Sequence, residues 1–246
     1  MVKYIKVTLS LVLLILAADS YSREKADSTR SKLKAGASFS LNSNGIASIP
    51  AFSLGDPAVI AAVNLAKGRF SYDPVLAYDM NLRPWFIDNW FNFKLINRTT
   101  FELKAGLNIS SFFSDVELSD TVFLQGQRYF AFAMTGIYKF TPTTSLLLAY
   151  WNDRGQDPGS LKGHYINLQG DKTDIPIGKH ILLAVGLQLF YINYDGNNDG
   201  LFLSPKLAAS VRNFPISIFF QATQPLTTNV EPNPGFRWNI GVAYTL

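Results

Sequence analysis

Residues 236–246 read FRWNIGVAYTL. Phe236, Trp238, Ile240, Val242, Tyr244 and Leu246 occupy every second position, with Arg237, Asn239, Gly241, Ala243 and Thr245 between them. Successive side chains of a strand point to opposite faces. The stretch is therefore a strand with one bulky, apolar face and one small or polar face.

The same division recurs upstream. Leu33, Ala35, Ala37, Phe39 and Leu41 oppose Lys32, Lys34, Gly36, Ser38 and Ser40. Phe101, Leu103, Ala105, Leu107 and Ile109 oppose Glu102, Lys104, Gly106, Asn108 and Ser110. Phe130, Phe132, Met134, Tyr138 and Phe140 oppose Ala131, Ala133, Thr135 and Lys139; Leu203, Leu207, Ala209 and Val211 oppose Ser204, Lys206, Ser210 and Arg212. Trp85, Ile87, Phe91, Phe93 and Leu95 are assigned to the apolar face against Asp88, Asn92 and Lys94, with Phe86 and Trp90 blurring the polar one. Alternation is weak over 143–153 and 161–172. The pattern predicts twelve strands, near 32–42, 57–67, 69–79, 84–95, 99–112, 122–139, 143–153, 161–172, 178–193, 202–212, 215–224 and 235–246. Their connections fall into two sets. Lys67-Gly68, Ile96–Arg98, Phe140–Pro142, Thr173–Ile177 and Asn213-Phe214 are short. Ser43–Asp56, Phe113–Thr121, Arg154–Ser160, Tyr194–Leu201 and Pro225–Pro234 are longer, and Met80–Arg83 breaks the pattern. Short turns at one end and long loops at the other, with an even strand count, describe a closed antiparallel transmembrane β-barrel. Pro74 and Pro205 oppose that reading, because a closed barrel has no free edge to tolerate them.

Which face meets the surroundings follows from composition. The chain of 246 residues is 48% hydrophobic, 16% charged and free of cysteine, with a net charge of +4. A soluble barrel of this size needs charged residues nearer about 25% to solvate its outside. The bulky faces are therefore assigned to lipid, where a spanning sheet must close on itself. Tyr72, Tyr78, Trp85, Tyr138, Phe140, Tyr150, Phe236, Trp238 and Tyr244 fit interfacial girdles. The absence of cysteine excludes disulfides and thiolate sites, and the chain lacks the basic blocks that nucleic acid requires.

Ahead of the barrel, Lys3 and Lys6 precede an apolar run, Val7–Leu16, and then small residues. This is the layout of an export signal, assigned to 1–22, with 23–31 as a flexible lead-in and 32–246 as the barrel. About ten apolar residues are too few to span a ~30 Å hydrocarbon core as a helix.

The ending Phe236–Leu246 resembles the terminal strand by which outer-membrane barrels are recognised for assembly, with Leu246 where many end in Phe. Ile49–Lys67, Phe70–Trp85 and Arg212–Ser217 look like an uncharacterised group of Bacteroidota outer-membrane barrel proteins. The resemblance implies location, fold and contact with the barrel-assembly machinery. It carries no activity.

Candidate chemistry is sparse. Asp195, Asn197 and Asp199 in DGNNDG match the first half of a calcium loop, but its twelfth position is Lys206 where a bidentate Glu is needed. That stretch reads better as a hairpin turn. His164 and His180 are the only imidazoles, and the residues two further on are Ile166 and Leu182. The His-x-Ser pair of outer-membrane phospholipases is thus missing, and no catalytic residue or cofactor is assigned. The suggestive set is the polar-face charges: Lys32, Lys34, Arg69, Lys94, Lys104, Lys139, Lys206, Arg212 and Arg237 against Asp73, Asp79, Asp88 and Glu102. An open lumen so lined favours anions; a closed one pairs the charges. The apolar loop Ser43–Asp56 exposes Ile46, Ile49, Phe52 and Leu54 unless it folds into the mouth, packs on the barrel rim or binds a partner; the fold-back is the simplest. The leading expectation is a narrow passive channel for small, anionic solutes. The alternatives are a closed docking barrel working through its loops and, behind both, a lipid-modifying enzyme.

Overall fold

The computed structural model describes residues 32–246 except 48, 119, 120, 197 and 232. The export segment 1–22 and the lead-in 23–31 lie outside the described residues. Twelve strands follow one another: β1 (Lys34–Asn42), β2 (Ala58–Lys67), β3 (Phe70–Asp79), β4 (Pro84–Asn97), β5 (Phe101–Leu118), β6 (Thr121–Thr141), β7 (Thr144–Gly155), β8 (Lys162–Ile177), β9 (Ile181–Tyr194), β10 (Asn198–Val211), β11 (Ile216–Thr228) and β12 (Arg237–Thr245). Each pairs antiparallel with the next, and β12 returns to β1 to close the barrel. The ladders are unequal. β5 pairs with β6 along its whole length, from Phe101 with Tyr138 to Leu118 with Thr121. The closing ladder joins only Ser38–Asn42 to Gly241–Thr245.

The faces divide as the alternation requires. Trp238, Ile240, Val242 and Tyr244 are exposed on the outside, as are Leu107, Ile109, Phe130, Phe132, Leu187 and Ile218. Their strand neighbours Asn108, Ala131, Ala133, Ser204 and Asn239 are buried inside. An apolar surface of this extent far exceeds the patches that soluble monomers tolerate. It is a lipid-facing exterior, and ring closure leaves no unpaired strand edge in it.

Four expectations are corrected. Phe113–Leu118 and Thr121 are strand rather than loop, so the β5–β6 hairpin projects well past the ~10 residues a tilted strand needs to cross a bilayer. Most of Tyr194–Leu201 is strand as well, and β11 runs on to Thr228. Residues 173–177 extend β8, leaving the turn to 178–180. Trp85 does not face lipid: the β3–β4 register slips between the Ala77–Phe86 and Tyr78–Pro84 pairs. That bulge lets Trp85 and Phe86 both bury inward, because an extra residue re-aims side chains.

The two prolines are accommodated singly. Pro74 keeps its register with Asn89 of β4 and Pro205 with Leu187 of β9. Each interrupts the ladder on its other side. Beside Pro205 the carbonyl of Ala222 accepts from the Ser204 hydroxyl at 2.7 Å.

Candidate functional site

The β1–β2 connection, residues 43–57, folds into the barrel. It makes its own small turn, with the Ala47 amide donating to the Phe52 carbonyl and the Phe52 amide to the Ile49 carbonyl, both at 3.0 Å. Gly45 lets it enter, since a Cβ there would lie 2.6 Å from the Trp85 ring. Its apolar side chains find partners on opposing walls. Ile49 and Ala51 pack into a cluster with Tyr165, Phe190, Ile192 and Phe202 of β8, β9 and β10. Ala47 packs with Ala58, Ala77, Trp85 and Phe86 of β2, β3 and β4. Phe52 touches both clusters, its ring edge-on to Tyr194 at 5.9 Å. The segment thus crosses the lumen and is held on both sides, which hides the apolar residues that made it anomalous as a surface loop.

What it leaves open is a cavity of about 300 Å³ against β4–β7. Register explains the space. Trp90, Asn108, Ala131 and Asp153 stand in one row across β4, β5, β6 and β7. The adjacent row is Asn92, Gly106, Ala133 and Trp151. Gly106, Ala131 and Ala133 on β5 and β6 are small, and Trp90 and Trp151, in line with them, bring their centroids to 4.8 Å. Gly106 is needed there, because a Cβ would sit 2.6 Å from Asn92 Oδ1 and 3.4 Å from the Trp90 ring. The aromatic line continues from Trp151 through Tyr165 and Phe190 to Phe202 at 4.7, 5.8 and 5.0 Å. Two carboxylates look into the cavity: Asp88, which is buried, and Asp153, which accepts from the Tyr194 hydroxyl at 2.9 Å. Among the described residues, no lysine or arginine lines it.

The basic groups are elsewhere. Arg69, Lys94, Lys104, Lys139 and Arg212 sit by the short turns 68–69, 98–100, 142–143 and 212–215, with Lys206 six residues further in along β10. Glu102 is buried between Lys94 Nζ at 2.5 Å and Lys104 Nζ at 3.2 Å. Asp73 accepts from Ser71 at 2.8 Å, from Asn92 at 2.7 Å and from Asn64. Lys206 Nζ lies 4.9 Å over the Phe219 ring. Arg237 starts β12 at the opposite end, apart from the rest. The expected basic constriction is thus not where the lumen narrows. Positive charge collects at the turn end and is partly paired, while the narrowing is aromatic and acidic.

The remaining candidates resolve simply. Asp199 accepts from Tyr191 at 3.1 Å and Asn229 at 2.8 Å, so its carboxylate braces β10 against β9 and the chain after β11. Asp195 lies in the turn with φ of 52°, Asn197 lies outside the described residues, and no group of three metal-ligating side chains forms among the described residues. His180 is in the exposed turn before β9. His164 Nδ1 meets the Tyr150 hydroxyl at 2.9 Å and the Asn152 amide at 3.2 Å. Sequence reading did not single out Trp151, Asp153, Tyr165 or Asn167. On β7 and β8 the inward face is aromatic too, so the alternation that marks other strands fades. A signal was present in the neighbouring strands, where Gly106, Ala131 and Ala133 predicted room for large side chains opposite.

No protein-family model matches this chain, and no curated protein matches it. Solved structures do. A KdgM porin, in a structure described as its complex with disordered oligogalacturonate, superposes with a TM-score of 0.55 at 10% identity, over 85% of this chain and 98% of the porin. The COG4313 outer membrane channel from Pseudomonas putida F1 superposes with a TM-score of 0.52 at 9% identity, over 90% and 99%. At such identity the likeness is one of fold: this chain has the twelve-stranded barrel of outer-membrane channels.

Proposed function

We propose that this protein is an outer-membrane barrel through which small solutes diffuse, with residues 43–57 as the constriction. The observation that carries this is the inserted segment: it crosses the lumen, is anchored on β8–β10 and β2–β4, and leaves a cavity of about 300 Å³ rather than a filled core. Passage past it needs no bond making and no cofactor. In this reading residues 1–22 direct export, the terminal strand addresses the barrel-assembly machinery, and the short-turn end faces the periplasm, as in other such barrels. The resemblance to Bacteroidota barrels supports the same placement. The basic turn half favours anions on that side only; the acidic narrowing works against a purely anionic solute.

Planar-bilayer recording tests the proposal. The wild-type barrel is expected to give small discrete steps, and deletion of residues 46–54 to enlarge them severalfold. Silence from both folded proteins overturns it. One feature favours a second reading, docking through the loop end. The β5–β6 hairpin projects with Val116, Val122, Phe123 and Leu124 exposed. Co-purification of a surface partner that is lost on trimming this hairpin, from a barrel that does not conduct, would decide for it.

A further inference from the structure

Asn108 lines the cavity, is only 3% exposed, and its enclosed Nδ2 has no hydrogen-bond acceptor. A buried amide donor left alone is costly, and a turn of this side chain toward the cavity that its residue lines would give it an acceptor on a bound molecule. The groups around it describe that molecule. Three of the four tryptophans, Trp85, Trp90 and Trp151, line the cavity and supply negative ring faces. Asp88 and Asp153 add two carboxylates in a wall that contains no lysine or arginine among the described residues. In Asp153 the register places one of those carboxylates two strands from Asn108 along the same row. Aromatic faces with carboxylates select a soft cation over an anion; a lone amide N–H additionally asks for an oxygen acceptor.

We propose that the cavity between residues 43–57 and β4–β7 is a binding site for a small organic cation bearing a hydroxyl or carbonyl oxygen, an amino alcohol with a quaternary or primary ammonium being the simplest. The ammonium lies among Trp90, Trp151, Asp88 and Asp153, and the oxygen accepts from Asn108 Nδ2. This names the solute class of the proposed channel and rests on its interior being open to solvent. It does not require that the solute pass through.

Choline is the probe, with tetramethylammonium, 3,3-dimethyl-1-butanol, glucose and acetate as comparators, on the full-length barrel in detergent. Because Trp238 faces lipid, a change in tryptophan emission reports mainly the cavity. Choline is expected to give a saturable change. Asp153→Asn should raise its half-saturation at least fivefold, and Asn108→Ala should weaken choline while leaving tetramethylammonium within twofold. Heat-dependent gel migration checks that each variant is folded; if Asp153→Asn is not, Asp88→Asn takes its place with the same expected loss. The proposal is overturned if the neutral butanol matches choline, if glucose or acetate saturates where choline does not, or if neither carboxamide variant changes the response. Conductance with no choline binding refutes this site and leaves the channel standing. Choline binding in a barrel that does not conduct refutes the channel and leaves the site.

Discussion

Pro205 has no amide hydrogen to offer the carbonyl of Ala222 across the β10–β11 ladder. The Ser204 hydroxyl takes its place at 2.7 Å, and Thr223 Oγ1 in turn donates to Ser204 Oγ at 3.0 Å. A buried carbonyl deprived of its donor costs about 1–3 kcal/mol. Ser204→Ala should therefore lower stability by that order, read as the denaturant midpoint of the folded band on a gel. In a Pro205→Ala background, where an amide is restored, the same substitution should cost less than half as much. Equal cost in both backgrounds would show that the hydroxyl is not replacing the amide. Pro205 is thus compatible with the closed ring because its neighbour supplies the missing donor, and Pro74 because its register with β4 is kept while the ladder to β2 is broken only locally. That compensation was not legible beforehand, since Ser204 next to Pro205 looks like any other small polar lumen residue.

At the level of the element, the β7–β8 connection is tied down by charge. The Arg128 guanidinium donates to Asp157 Oδ1 at 2.7 Å, and the Arg128 amide to Oδ2 at 2.6 Å. These bonds hold the Asp157 carboxyl below its ordinary value. A depressed carboxyl lends its tether above the ordinary carboxylate range and loses it as pH falls through the lowered value. The chain has no cysteine, so a nitroxide placed by Pro158→Cys reports this loop alone. It should stay immobile from roughly pH 8 to about 5 and loosen only below about pH 4. Loosening near neutrality would assign the tether to another group. Other elements were read from sequence with very different success. β12, β6 and the part of β5 up to Phe112 were plain because lipid and lumen demand opposite chemistry on alternate residues; beyond Phe112 the hairpin leaves the bilayer and that demand ends. The inserted segment was detectable through its own apolarity, since Ile46, Ile49 and Phe52 cannot all be left in water. β7 and β8 were obscure because Trp151 and Tyr165 are large on the inward side as well. Trp85 was misplaced because a one-residue bulge reverses a period-two pattern and leaves no mark in composition.

For the whole molecule the decisive property is the axial placement of the inward charges, with Arg69, Lys94, Lys104, Lys139, Lys206 and Arg212 in the half toward the short turns and Asp88 and Asp153 at the aromatic narrowing. Composition alone shows a basic chain and cannot say which charges share a level. Glu102 moderates the basic end by holding both Lys94 and Lys104. Glu102→Gln should release them and shift the zero-current potential in a salt gradient toward chloride, whereas a lumen governed only by its narrowing would show no shift. The unequal ladders have a mechanical corollary. The ladder between its first and last strands has five rungs, Ser38–Asn42, with one backbone hydrogen bond beyond at each end, against eighteen consecutive rungs where β5 meets β6. Heat or detergent should unzip the cylinder at that short seam, and a cystine stitched between Leu41→Cys and Val242→Cys, which face each other there, should delay opening far more than the same stitch placed in the long hairpin.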